Sequence, residues 1–140
     1  MRAERKEPSF AGLSILVVDD DKDSRTLLSE VLRVCDAIVL EADNIPRAKA
    51  YVSMHKLHLV VTDLSFPRED GITFLGWLRQ QPRHEARRIP AIVATARYEE
   101  YPPAEVSGWA AYFEKPVDMN QFVETAAAIL KVPRDPNFGT

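Results

Sequence analysis

A single cysteine, Cys35, stands in the 140 residues, so no internal disulfide can form and no CxxC metal or redox pair exists. A lone cysteine reads as a small buried hydrophobe in a reducing compartment. Glycine is scarce, with five residues and no Gly-X-Y period, which excludes a collagen-like chain. Positive charge is not in excess: Lys and Arg number 18 against 21 Asp and Glu, a formal net charge of −3, so the basic footprint of nonspecific nucleic-acid binding is missing. No apolar run approaches the roughly 18 residues of a membrane span. The opening MRAERKEPSF lacks the apolar stretch of a signal peptide. The expectation is a cytoplasmic protein with no membrane partner and no direct nucleic-acid contact. What the chain does have is a globular balance of 46% hydrophobic and 28% charged residues, with length enough for one domain and its core.

Residues 1–12 are charged and carry Pro8, and read as a flexible lead-in. Residues 133–140 (PRDPNFGT) hold two prolines and read as a tail. Between them, over 13–132, strand-length apolar runs recur at Ile15–Val18, Ile38–Leu40, Leu57–Thr62, Ile89–Thr95 and Ala111–Phe113. Each is rich in β-branched or aromatic residues. Segments with helical spacing alternate with them: Leu27, Leu28, Val31 and Leu32; Phe74, Leu75 and Leu78; Phe122, Val123, Ala126, Ile129 and Leu130. A weaker one, Ile45–Met54, has Pro46 in its first turn. Strand–helix alternation of this kind specifies an α/β fold, an open five-stranded parallel sheet with helices on both faces. The pattern fails between the fourth and fifth strands. There Pro102 and Pro103 forbid a helix across them, and Gly108 closes the segment soon after. A shortened or irregular fourth crossover helix follows, with Tyr101 or Trp109 exposed.

In an open parallel sheet the functional site lies at the carboxyl ends of the strands. Here the first run stops at Asp19-Asp20-Asp21, the third at Asp63, the fourth at Thr95 and the fifth at Lys115-Pro116. Any one of these has an ordinary explanation. Asp21 or Asp23 can cap the helix that follows, and Thr and Lys-Pro are common loop residues. Together they place three carboxylates, a hydroxyl and an ammonium on one sheet edge, where like charges repel unless a cation is present. Asp19, Asp20 and Asp63 suit a hard divalent ion such as Mg²⁺. Lys115 and Thr95 suit an anion beside it, and the combination describes a phosphoryl group.

The motifs VVDDD at 17–21, Asp63 with Phe66-Pro67 and Glu69-Asp70-Gly71, Thr95-Ala96, and Tyr112 three residues before Lys115-Pro116 resemble the receiver domains of two-component response regulators. Arg25, Glu41-Ala42 and Ile89-Pro90 agree with it. The resemblance implies a doubly wound (βα)5, flavodoxin-like fold and a phosphoacceptor role for Asp63. It implies Mg²⁺ held by Asp19, Asp20, Asp63 and the backbone carbonyl of Ser65. Lys115, Thr95 and the Ala96 backbone would bind the phosphoryl group, Thr95 and Tyr112 would form the switch, and Ser65 and Arg97 would tune the lifetime of the phosphorylated state. The implied donor is a phosphohistidine on a sensor histidine kinase or a histidine phosphotransfer protein, and the output is a changed surface for a downstream protein. The domain is then no enzyme beyond its own phosphorylation and dephosphorylation.

Departures are few. Phe66 stands where Met is common, and Ala110 and Ala111 stand where one dimerising DNA-binding subfamily is acidic, which argues against that dimer. These residues leave no length for an output domain, so the chain resembles a stand-alone receiver or the receiver part of a longer protein. Two other functions compete. A pseudo-receiver would dock partners without phosphate, but would have lost Asp63, Lys115 or the acidic pair. A haloacid-dehalogenase-like phosphatase would use Asp19 of Asp19-Asp20-Asp21 as nucleophile, but Asp23 stands where Thr or Val is wanted. His55 and His58 form at most a weak metal pair, and Arg83–Arg88 reads as a solvated connector.

Overall fold

The computed structural model describes residues 8–132. The elements are β1 (Ser14–Val18), α1 (Lys22–Val34), β2 (Ile38–Ala42), α2 (Ile45–Met54), β3 (Leu59–Thr62), α3 (Gly71–Arg79), α4 (His84–Arg87), β4 (Ala91–Thr95), β5 (Ala111–Glu114) and α5 (Met119–Leu130). The strands lie in the order β2-β1-β3-β4-β5, every neighbouring pair parallel. This is the doubly wound, flavodoxin-like order, whose switch point falls between β1 and β3. The loops leaving β1 and β3 therefore open side by side.

Alternation along the strands sorts the core onto two faces. Ile15 and Val17 of β1, with Leu59, Val61, Ile92 and Ala94, pack against Leu28 and Leu32 of α1 and Phe122 and Ala126 of α5. Leu16, Val18 and Val60 point the other way, onto Ile45, Ala48 and Val52 of α2 and Phe74 and Leu78 of α3. Cys35 is buried in the first of these clusters. Four long helices start on a side chain that accepts backbone N–H groups: Asp21, Asn44, Asp70 and Asp118. Each such cap stabilises by about 1 kcal/mol. Of the two candidates for α1, Asp21 is the cap, accepting from Ser24 N–H at 2.9 Å; Asp23 already lies inside the first turn.

Phe10 corrects the expectation of a loose lead-in over 1–12. It is fully buried in the α1/α5 face of the core, and its N–H donates to the Cys35 carbonyl at 2.7 Å. Residues 1–7 and the tail expected at 133–140 lie outside the described residues. The connector Arg83–Arg88 contains a one-turn helix, α4, closed by Arg87 N–H on the Arg83 carbonyl at 3.0 Å.

Between β4 and β5 a turn at 98–100, closed by Tyr101 N–H on the Arg97 carbonyl at 3.0 Å, and a 3-10 turn, Pro103–Glu105, stand in place of a crossover helix, which the two prolines forbid. Tyr101 and Trp109 are half-buried rather than exposed, because the segment folds back on the sheet. Trp109 indole N–H donates to the Val106 carbonyl at 2.6 Å, and Val106 is buried with Leu64, Leu75, Ala91 and Val93. Arg79 at the end of α3 clamps the segment's far end. Its Nε and Nη2 donate to the Gly108 carbonyl at 3.1 and 2.7 Å, and its Nη1 donates to the Ile89 carbonyl at 2.7 Å. Burial pushes the Arg79 pKa down, and Gly108 takes a φ of 92° that other residues rarely adopt.

Candidate functional site

Backbone pairing brings the strand ends together before any side chain is considered. Asp19 N–H donates to the Ala42 carbonyl and Asp63 N–H to the Val18 carbonyl, both at 3.0 Å. On the other side, Lys115 N–H donates to the Thr95 carbonyl at 2.9 Å, and the Lys115–Pro116 peptide is cis. The four strand ends named from sequence are thus fixed around one point by the sheet itself.

The side chains meet there. Lys115 Nζ donates to Asp19 Oδ2 at 2.7 Å and to Asp63 Oδ2 at 2.9 Å. The other Asp63 oxygen, Oδ1, accepts from Leu64 N–H at 2.6 Å and Ser65 N–H at 3.2 Å. Asp19 Oδ1 accepts from Asp21 N–H at 2.9 Å. Asp19 and Asp63 are buried, whereas Asp20 is exposed. One carboxylate oxygen from each of Asp19, Asp20 and Asp63 falls within 4.8 Å of the others. Two buried acids and one solvent-facing acid at that spacing have the oxygen chemistry of a hard divalent ion that keeps part of its water shell. Burial raises the Asp19 pKa, an effect that the hydrogen bond from Lys115 only partly offsets. For Lys115 burial works downward, but the hydrogen bonds to Asp19 and Asp63 outweigh it and the pKa is raised. The ammonium is therefore held charged.

Supporting residues lock this arrangement. Arg25 Nη1 donates to the Asp19 carbonyl at 2.8 Å while its Nε pairs with Glu41 at 3.2 Å. That explains why Arg25 and Glu41 accompany the acidic pair in the sequence. Gly71 opens α3 directly beneath the Asp63 loop, its N–H on the Leu64 carbonyl at 2.7 Å. A Cβ there would stand 2.5 Å from the Asp63 carbonyl and 2.7 Å from Leu64 Cα. Nothing in the sequence pattern reveals that role, and Arg79 likewise reads only as a surface cation ending a helix.

Thr95 is fully buried, its hydroxyl accepting from Arg97 N–H at 3.0 Å. Tyr112 is half-buried and its hydroxyl donates to the Tyr101 carbonyl at 2.6 Å. The Arg97 guanidinium pairs with Glu100 at 2.9 Å rather than with an acid of the site. His58 is occupied elsewhere, its Nδ1 accepting from Ser14 N–H at 3.0 Å, and the His55 ring leans on Tyr51. Neither joins the acidic group.

Comparison with known proteins agrees with this edge. A 38% identical protein of Leptolyngbya boryana, an uncharacterized 14.6 kDa protein from the region 3′ of sodA1, aligns over 79% of this chain and 84% of its own. A two-component response regulator from Clostridium difficile superposes with a TM-score of 0.77 at 23% identity, covering 85% of this chain and 96% of that one. The response regulator TrrA from Thermotoga maritima, in complex with Mg²⁺ and BeF, superposes with a TM-score of 0.72 at 24% identity, covering 84% and 98%. The likeness to both structures lies in the fold. Residues 15–127 match the response regulator receiver domain profile. A profile running from β1 into α5, over strands whose ends gather three aspartates and a lysine, shows that this chain belongs to the receiver domains of two-component response regulators.

Proposed function

We propose that this receiver, taken as residues 13–132 with the packed Phe10 segment, accepts a phosphoryl group on Asp63 in a Mg²⁺-dependent reaction. The observation that carries the reading is Lys115 Nζ bridging Asp19 and Asp63 at the sheet edge, beside the three-carboxylate group. Asp19, Asp20, Asp63 and the Ser65 carbonyl would hold the ion, as TrrA's complex with Mg²⁺ and BeF supports by analogy. When bound, it would neutralise the carboxylates and lower the cost of bringing phosphoryl oxygens against them.

The chain's own residues supply the rest. The backbone N–H groups of Leu64 and Ser65 hold Asp63 Oδ1, orienting the carboxylate that attacks phosphorus. The product is an aspartyl phosphate, and the donor's imidazole leaves. Lys115 carries a charge that a new anion can share, and the Ala96 backbone follows Thr95 into the same corner. If the Thr95 hydroxyl turns to the phosphoryl oxygens, the Arg97 N–H loses its acceptor. The Tyr112 hydroxyl holds the Tyr101 carbonyl, so both ends of 97–101 are set by this pair. The surface changes by a shift between two arrangements.

The donor is proposed to be a histidine kinase or a histidine phosphotransfer protein. It approaches over the opening lined by Leu27, Leu28, Lys115, Pro116, Val117 and Met119, where Leu27 is 55% exposed beside the lysine of the site. Among the described residues no helix is long and apolar enough to cross a membrane, and a cytoplasmic site of action is part of the proposal. Incubation with acetyl phosphate and Mg²⁺ tests the reading. One phosphoryl group per chain is expected with Mg²⁺ and none when a chelator is present from the start; no incorporation with Mg²⁺ would leave a docking module that does not use phosphate.

Ion binding has a separate readout. Mg²⁺ binds the folded site and not the unfolded chain. At tenfold above its Kd it is expected to stabilise by about 1.4 kcal/mol, a rise of roughly 3–6 °C in Tm for a chain of this size. Asp20→Ala should remove the rise. A parent melting curve unmoved by Mg²⁺ would count against the site.

For lifetime, Ser65 and Arg97 flank the proposed path of attacking water. Arg97 is only lightly committed, because an exposed pair such as Arg97–Glu100 contributes about 0.2–1 kcal/mol. A phosphoryl group can therefore compete for it. Arg97→Ala is expected to speed autodephosphorylation by up to about fivefold, the scale of one exposed charge contact. Equal decay rates in the two proteins would assign Arg97 to the surface.

A further inference from the structure

We propose that the surface over the β4–β5 crossover receives an arginine-bearing segment of the downstream protein. This rests on the receiver reading above and names the chemistry of its output partner.

The surface exists because a helix is missing. In its place lie the half-buried Tyr101 and Trp109, beside the half-buried Tyr112 of β5, with the Trp109 and Tyr112 rings 5.7 Å apart at 61°. Two polar handles are spent inside the segment, the indole N–H on the Val106 carbonyl and the Tyr112 hydroxyl on the Tyr101 carbonyl. Ring carbon is what Trp109 and Tyr112 have left to share. Among the described residues β5 beside them is an edge strand with no neighbour but β4, and all four of its residues are at least partly exposed.

Charge chooses the occupant. Glu99, Glu105 and Glu114 are exposed, and among the described residues no cation pairs with them. The field of Glu114 reaches the Tyr112 phenol, and those of Glu100 and Asp70 reach Tyr101. Of the two nearby cations, Arg97 is taken by Glu100, and Arg79 is spent on the Gly108, Arg87 and Ile89 carbonyls beneath the segment. An acidic peptide, a phosphopeptide or a nucleic acid would be repelled. A guanidinium suits both features at once, because it stacks on aromatic faces and forks onto carboxylates. Lysine does the second better than the first. The patch is tied to the acceptor site through Arg97 N–H on Thr95, and Tyr112 holds the far end of 97–101 at the Tyr101 carbonyl, so its shape would answer to the state of Asp63.

The test uses ¹⁵N-labelled protein with Mg²⁺ present, so that the acidic site is not a sink for cations, titrated with short synthetic Arg-Ser repeat peptides and their Lys-Ser and Gln-Ser counterparts. The Arg peptide is expected to shift the Trp109 indole N–H and the amides of 98–114, to bind more tightly than the Lys peptide, and to leave the Gln peptide without effect. Glu105→Gln/Glu114→Gln should weaken binding about tenfold, the sum of two exposed pairs, and its own spectrum reports that it is folded. Unchanged affinity in that variant, equal affinity for the Lys peptide, or shifts gathered around Asp20 would overturn the proposal. Acetyl phosphate labelling of the same samples separates the two readings. Normal labelling without Arg-peptide binding sinks only the surface, whereas absent labelling sinks the phosphoacceptor reading.

Discussion

Asp63→Asn is expected to abolish phosphate incorporation from acetyl phosphate or phosphoramidate while leaving the fold intact. The amide keeps an oxygen for the Leu64 and Ser65 N–H groups that now hold Asp63 Oδ1 at 2.6 and 3.2 Å, so the loop retains its orientation. What goes is the anionic nucleophile and one of the two partners of Lys115. The other, Asp19 at 2.7 Å, still compensates the buried ammonium, and the substitution also removes one of three neighbouring negative charges. A buried ion left wholly unpaired costs about 3–5 kcal/mol, and that case does not arise here. The check is incorporation of acid-stable, hydroxylamine-labile phosphate, with a thermal melt alongside. Labelling at the parent level would move the acceptor to another residue; a collapsed melt would instead show that the Asp63 charge holds the edge together.

The strand ends that carry this chemistry were legible because they obey local rules. Ile15–Val18, Leu57–Thr62 and Ile89–Thr95 hold the unbroken apolar stretches Ile15–Val18, Leu59–Val61 and Ala91–Ala94, the composition of a strand buried on both faces. The observed β1, β3 and β4 fall on them within two residues. The broken crossover was legible for the same kind of reason, since a missing N–H on Pro102 and Pro103 is a property of those residues alone. Phe10 was not. A single aromatic residue in a charged stretch has no period, and its burial depends on the Cys35 carbonyl and on α5, far along the chain. Arg79 reads as an ordinary cation ending a helix until the fold sets the Gly108 carbonyl 2.7 Å from its Nη2. Arg97 was legible as a residue facing the acceptor's corner, yet its guanidinium sits on Glu100, a choice among exposed partners separated by under 1 kcal/mol. Tyr101 and Trp109 are expected in solvent because no helix can cover them, but the segment packs both against the cluster around Leu64, Leu75 and Val106, with the Trp109 indole N–H on the Val106 carbonyl.

Gly71→Ala is expected to slow phosphorylation of Asp63 far more than its chemistry suggests. Glycine here is not needed for an unusual φ. It is needed because the first turn of α3 lies against the backbone that presents the acceptor. An added Cβ would meet the Asp63 carbonyl at 2.5 Å and Leu64 Cα at 2.7 Å, and neither is the end of a flexible side chain that could swing away. Either the Asp63–Leu64 backbone moves or the start of α3 does, breaking the Gly71 N–H bond to the Leu64 carbonyl. Overpacking of this kind costs about 1–3 kcal/mol, and a misplacement of about 1 Å at a reacting group costs on the order of 10²-fold in rate. Gly76 supplies the control within the same helix: a Cβ there meets nothing within 4 Å, so Gly76→Ala is expected to stabilise by about 0.5–1 kcal/mol and to leave the rate unchanged. Melting temperatures and initial labelling rates of the two variants decide the matter. If Gly71→Ala melts and labels like the parent, the acceptor loop has slack that this packing denies, and the positioning of Asp63 must come from Lys115 and the sheet alone.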